Sequence, residues 1–275
     1  ALARLIESEG ITTFFAVPTM LVGLLGALDH ESQDMSAVEV ITTGGAPVAP
    51  ELVRKVRERL GCSLQSAFGQ TEASPMISLN HDDVSIDDIC FSAGQPLPHT
   101  SVSIRDPETG AVLDVGAVGE ICAKGYNVMI GYHDNEEATS AAIDENGWLH
   151  TGDLGTLDKR GFIRVTGRVK DMIIRGGENH FPAEIENTLI EHPQIAEVAV
   201  VGIPDEKWGE VISAFIRSDD DKPLDIDDLK SFCRNHLSPQ KTPSIWRRVD
   251  AFPLTGSGKI QKFRIREKYL AGDYD

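Results

Sequence analysis

Apolar and polar positions follow one another along this chain in three different textures. Over residues 1–91, short β-rich runs alternate with helical periodicity. Leu2, Leu5 and Ile6 share one helical face, and Gly10 is a natural stop. The run ITTFFAVPTM reads as a strand ended by Pro18, ahead of a second helix from about Thr19 to Asp29. Val38–Thr43 and Ser63–Ala67 read as further strands, and Pro50 suits the first turn of a helix running to about Leu60. Strands alternating with helices predict a parallel sheet whose loops gather at its carboxyl edge, where ligands bind.

From about Ser92 the pattern changes to short strands with tight turns. Asp106–Gly110 (DPETG) and Asp158–Gly161 (DKRG) are hairpin-type connections, so residues 92–168 are expected to form a small barrel or curled sheet. The third texture follows Arg168. A strand at Met172–Ile174 leads into Gly176-Gly177, and Pro182 opens a helix with Glu184 and Glu186 early in it. Strands at Ala196–Val201, Val211–Ile216 and near Trp246–Val249 are interleaved with a helix over about Ile226–Leu237, capped by Asp225, and a final helix. The expected organisation is α/β and α+β multidomain: the end of a parallel α/β subdomain (1–91), a β-barrel-like subdomain (92–168) and a compact α+β domain (169–275).

Composition narrows the functional classes. The 275 residues are 41% hydrophobic and 25% charged, enough for a sizeable core. A net charge of −17 argues against a nucleic-acid partner, because neutralising phosphates takes clustered Lys and Arg. Cys62, Cys90, Cys122 and Cys233 are scattered, which reads as reduced thiols in a cytoplasmic protein. No apolar run approaches the ~18 residues a membrane span needs. The chain opens inside what reads as a helix, without a Met, and is expected to be a fragment.

Candidate chemistry lies at the strand ends. Gly44-Gly45-Ala46-Pro47 is either a plain turn or a close approach of backbone to a ligand, since glycine lacks a Cβ. Phe68-Gly69-Gln70-Thr71-Glu72 sets an aromatic face, a hydroxyl and a carboxylate at a strand end, a set that suits a base, a phosphate and Mg2+. Thr151-Gly152-Asp153-Leu154 offers a carboxylate for a ribose diol, or a turn Asp. Gly167–Asp171 (GRVKD) is a charged junction. Gly256–Lys259 (GSGK) fails the phosphate-loop pattern, which needs Gly where Pro253 stands and Ser or Thr where Ile260 stands. No HExxH or GxSxG supports a zinc or serine hydrolase.

In this order, GGAP, FGQTE, GEICAKGYNVMIGY, TGDL, GRVKDMIIRGGENHFPAEIE and PLTGSGKIQK resemble the adenylate-forming superfamily, which includes acyl-CoA synthetases, adenylation domains of peptide synthetases and luciferases. The resemblance covers essentially the whole chain. It implies that Gly45, Ala46 and Pro47 line an adenine pocket, with Phe68 stacking on the base beside Gly69. Thr71 would meet the α-phosphate, Glu72 would hold Mg2+, and Asp153, with Arg168 beside it, would bind the ribose hydroxyls. Lys259 would bridge the α-phosphate and the substrate carboxylate, Lys170 would be the hinge, and Gly176-Gly177 would border a thiol tunnel. The implied substrates are ATP, coenzyme A and a carboxylic acid, most simply an aliphatic one, bordered by Phe14–Leu25 and Ala73–Met76. Loading of a carrier protein is the alternative within the superfamily, and a folded fragment or interaction module without activity is the alternative outside it. The family's Ser/Thr/Gly-rich phosphate loop, ending in Pro-Lys-Gly, matches nothing in residues 1–40, so the chain is expected to be the carboxyl-terminal half of such an enzyme.

Overall fold

The computed structural model describes residues 1–30, 32–46, 48–219, 223–255 and 259–274. The chain forms two compact units, Ala1–Val165 and Thr166–Asp275.

The first unit begins with α1 (Leu2–Glu9), β1 (Thr13–Ala16), α2 (Pro18–Leu28), β2 (Val40–Gly44), α3 (Pro50–Leu60) and β3 (Ser63–Gly69). Gly10 and Gly61 close α1 and α3 in the left-handed region, as glycine does without strain. Strands β1, β2 and β3 are parallel neighbours. The expected parallel sheet does not continue beyond them: β4 (Met76–Leu79) and β5 (Gln95–Pro96) are added antiparallel, giving the order β1-β2-β3-β4-β5. For β4 the reason is the short link Gln70–Pro75, which leaves no room for the crossover a parallel strand requires. Between β4 and β5 lies α4 (Ile86–Phe91), capped by Ser85, whose Oγ accepts the Asp88 N–H at 3.0 Å. Ile6, Leu21, Leu24, Val53 and Val56 of the helices bury Ile41 and Leu64 of the sheet.

The β-rich stretch is an open sheet rather than a closed barrel. β6 (Thr100–Arg105), β7 (Gly119–Gly125), β8 (Leu149–Leu157) and β9 (Ile163–Arg168) lie in that order, with α5 (Glu136–Ala142) between β7 and β8. Among the described residues β6 and β9 do not pair. Aspartates build its turns: Asp106 Oδ1 accepts the N–H groups of Glu108 and Thr109, and Asp158 Oδ1 those of Arg160 and Phe162. Its core, with Ile104, Ile121, Leu149 and Ile163, also takes in Phe68, Ala73 and Ile77.

The second unit contains β10 (Ile173–Arg175), β11 (Glu178–His180), α6 (Pro182–Leu189), β12 (Glu197–Asp205), β13 (Gly209–Arg217), α7 (Ile226–His236), β14 (Ile245–Arg248) and α8 (Lys262–Leu270). Its sheet runs β11-β10-β13-β12, with β14 parallel to β13. Asp225 caps α7 by accepting the Asp228 N–H at 3.0 Å. Both faces of β13 are buried. Ile212, Ala214 and Ile216 pack with α6 and α7, while Val211 and Phe215 pack with Ile265 of α8 and with Phe252. No helix of the described residues is long and apolar enough to cross a membrane.

Candidate active site

Parallel pairing brings the first two motifs together. Gly44 of β2 pairs with Ala67 of β3, so Gly45-Ala46 and Gly69–Glu72 leave the same carboxyl edge side by side. A Cβ on Gly44 would lie 2.8 Å from the Ala67 carbonyl oxygen, and Gly45 has φ +78°; both positions require glycine. Gly45 and Ala46 are exposed. Pro47 lies outside the described residues.

Glycine is equally required at Gly69, where a Cβ would stand 2.0 Å from the Pro75 carbonyl oxygen. The close return of Pro75-Met76 lets Thr71–Ala73 form one 3-10 turn at the strand end, with Thr71 exposed and Glu72 half-buried. Two contacts clasp this turn to the segment after β7. The Met129 N–H donates to the Glu72 carbonyl at 2.8 Å, and the Tyr132 hydroxyl donates to Glu72 Oε1 at 2.8 Å. The same bond, with some burial, holds the Tyr132 phenol above its ordinary pKa, because an anionic neighbour opposes loss of its proton. Phe68 is 9% exposed and packs into the core of the second sheet, so only a sliver of its ring reaches the surface.

TGDL sits on β8 in a bulge. Glu120 pairs with Leu154 and Cys122 with His150, so Ile121 alone faces Thr151, Gly152 and Asp153. Thr151 Oγ1 donates to the Ile121 carbonyl at 2.7 Å and accepts the Asp153 N–H at 3.1 Å. Gly152 adopts φ +70°, and its N–H donates to Glu120 Oε1 at 2.9 Å. The other Glu120 oxygen accepts from His150 Nδ1 at 2.7 Å. Asp153 itself is half-buried.

Glu120, Cys122 and His150 bring three possible metal-ligand atoms within 4.8 Å of one another. The donor set does not suit a metal. Both carboxylate oxygens already accept hydrogen bonds, and burial beside Glu120 pushes the Cys122 thiol up to about 12, far from the thiolate a metal binds. The cluster is a hydrogen-bonded support beneath the bulge. The hard, half-exposed Glu72 carboxylate, with one oxygen fixed by Tyr132, is the better fit to a magnesium ion.

The remaining predicted residues belong to the second unit. Arg168 ends β9 and is exposed, and Lys170 is exposed in a 3-10 turn at Val169–Asp171. Gly176 (φ +61°) and Gly177 (φ +83°) form the tip of the β10–β11 hairpin. The Gly176 N–H donates to the Trp208 carbonyl at 2.8 Å, and a Cβ there would meet the Trp208 ring at 3.0 Å. Lys259 is exposed. Its N–H donates to Thr255 Oγ1, the Thr255 N–H donates to its carbonyl, and Leu254 pairs with Ile260. Gly256, Ser257 and Gly258 lie outside the described residues. Sequence reasoning missed Tyr132, Glu120, His150 and Trp208. An acid within the apolar strand GEICAKG and a histidine directly before TGD were the available signals.

A glycine-lined turn, a hydroxyl and a half-buried carboxylate stand together at the carboxyl edge of an α/β sheet, the edge where ligands of such folds bind. A family model described as AMP-binding enzyme matches residues 1–133, and one described as AMP-binding enzyme C-terminal domain matches residues 184–259. The chain belongs to the adenylate-forming superfamily. It is 42% identical over 268 residues to a putative acyl-CoA synthetase, YngI, of Bacillus subtilis (strain 168), covering 97% of this chain and 49% of that protein. It is 39% identical over 264 residues to the human mitochondrial medium-chain acyl-CoA ligase ACSF2, covering 96% of this chain and 43% of the relative. Among solved structures, o-succinylbenzoate CoA synthetase (MenE) of Bacillus subtilis, in complex with its acyl-adenylate intermediate, matches with TM-score 0.79 and 35% identity over 96% of this chain and 53% of that one. The chain thus spans about half the length of the relatives it matches.

Proposed function

We propose that the protein carrying this chain is an ATP-dependent, AMP-forming ligase that joins an aliphatic carboxylic acid to coenzyme A. The observation that carries this reading is the pairing of β2 with β3, which sets Gly45-Ala46 beside Thr71-Glu72 at one sheet edge in a chain of this superfamily.

In the first half-reaction the substrate carboxylate attacks the α-phosphorus of ATP, and pyrophosphate leaves. Gly45 and Ala46 present backbone to the adenine, Phe68 and Gly69 border it, and the exposed Thr71 hydroxyl donates to the α-phosphate. Glu72 holds the magnesium ion, which screens the phosphate charge when bound. Asp153 accepts from the ribose hydroxyls, and Arg168 is assigned to the same nucleotide. Lys259 neutralises charge on the α-phosphate and the incoming carboxylate. In the second half-reaction the thiolate of coenzyme A attacks the acyl carbonyl and AMP leaves, its thiol proton passing to solvent. Gly176 and Gly177 serve this step because their missing side chains leave room for a narrow thiol arm, and Lys170 is the pivot between the two steps. The apolar stretch Phe14–Leu25 and the residues Ala73–Met76, assigned to the acyl pocket, favour an aliphatic acid. Four buried, unbridged cysteines suit a reducing compartment such as the cytoplasm.

The test uses the full-length protein. Pyrophosphate exchange with straight-chain acids, followed by thioester formation on coenzyme A, is expected; product on a carrier-protein phosphopantetheine and none on coenzyme A would reassign the acceptor. Lys259→Ala is expected to suppress exchange by about a hundredfold or more while sparing thioester formation from preformed acyl-AMP. Equal loss in both half-reactions would remove the division of labour between Lys259 and the Gly176-Gly177 hairpin.

A further inference from the structure

A bulge takes backbone groups out of the sheet ladder, and those groups need other partners. In β8 the Gly152 N–H is such a group, and its partner is a side chain on the neighbouring strand, the carboxylate of Glu120. Glu120 is only 8% exposed. Burying an anion is costly, and a neutral acceptor would satisfy one N–H as well. Here the anion is itself gripped: His150 Nδ1 donates to its second oxygen, and His150 Nε2 lies 4.0 Å from Asp144, which Arg105 holds at 3.1 Å. One Glu120 oxygen is therefore anchored to His150 while the other fixes the backbone one residue before Asp153. Nothing lies within 4 Å of where a Cβ on Gly152 would stand, so glycine is there for its left-handed conformation rather than for lack of room.

We propose that Glu120, anchored by His150, is a positioning residue that sets where the Asp153 carboxylate stands for the ribose hydroxyls. The inference rests on the assignment of Asp153 to the ribose made above. Charge-assisted bonds of this kind are short and strong, so they hold the backbone more tightly than a neutral pair would. Glu120 touches no substrate; it acts through Gly152 and Asp153.

The test is ribose discrimination in the full-length protein, measured as kcat/KM in pyrophosphate exchange for ATP against 3′-deoxy-ATP and 2′-deoxy-ATP. The panel is wild type, Asp153→Ala, Glu120→Gln, Glu120→Ala and the double variant Asp153→Ala/Glu120→Ala. Glu120→Gln keeps the side-chain volume, so a folded variant is at hand if Glu120→Ala does not fold. Wild type is expected to prefer ATP, and Asp153→Ala to lose that preference. Both Glu120 variants are expected to reduce the preference by about tenfold, through loss of activity on ATP with little change on the deoxy analogues. The double variant is expected to be no worse than Asp153→Ala alone, as for residues acting in series. Glu120 variants that lose activity equally on all three nucleotides, or that keep the wild-type preference, would overturn the positioning role while Asp153→Ala still upholds the ribose assignment. An unchanged preference in Asp153→Ala would overturn the ribose assignment and the inference with it.

Discussion

Glu72 is held at both ends, its carbonyl by the Met129 N–H and its carboxylate by the Tyr132 hydroxyl. A side chain pinned through one oxygen offers the other in a fixed direction, which is what a magnesium site with few protein ligands requires. Tyr132→Phe removes the pin and leaves the ring. We expect the Mg2+ concentration for half-maximal pyrophosphate exchange to rise by about tenfold with the melting midpoint nearly unchanged; a magnesium titration of the variant checks this. At this scale the sequence was half legible. Thr71, Glu72 and Asp153 sit in compact motifs that can be read by eye. Tyr132 and Glu120 come from the neighbouring β segment, and only the fold brings them to those motifs. Local spacing carries no trace of such pairs, because it is strand register that creates them.

The elements show the same division. Periodicity and punctuation placed α1, α2, α3 and α7 well, since each carries its own start or stop: Gly10, Pro18, Pro50 with Gly61, and Asp225. The β4 strand and the short α4 helix escaped because they are brief and lie among polar residues, although Ser85 followed by Asp87-Asp88 was a capping signal. The reversal of direction after β3 was invisible for a different reason. It depends on the tight return through Gly69 and Pro75, a contact between backbones rather than a pattern of side chains. Gly69→Ala should therefore do more than lower helix or strand propensity. The new methyl group would force Pro75-Met76 away, and we expect a loss of roughly 1–3 kcal/mol of stability, read from denaturant unfolding, with a displaced Thr71-Glu72 turn and weakened nucleotide binding. A variant as stable and active as wild type would show that the return is not constrained as described.

Within the first unit, the α/β layer and the open sheet are joined by a shared core and by one bidentate ion pair. Arg160, in the β8–β9 turn, donates to both oxygens of Asp88 on α4, at 2.7 and 3.3 Å. The Arg160 guanidinium first, and the Ser85 hydroxyl after it, hold the Asp88 carboxyl below its ordinary value of 3.8. A carboxyl that is more acidic in the folded state stabilises the fold above its unfolded pKa, and that contribution fades as pH falls through the folded value. Asp88→Asn should lower the melting temperature at about pH 7, and the gap to wild type should narrow toward about pH 3; thermal melts across that range provide the check. Nothing in the textures along the sequence marks which turn ties one layer to the other, because the pair joins residues 72 positions apart.

The two-sided burial of β13 has a consequence for how this chain can vary. From Val211 to Ile216 every residue is buried, with Ser213 at 0% exposed and its hydroxyl turned onto the Val211 carbonyl. A strand with one wet face tolerates change at alternate positions; this one offers no such position. Six consecutive sites are thus closed to charge whichever face of the sheet a substitution points to, and each would leave an unpaired charge in one of the two cores that meet on this strand.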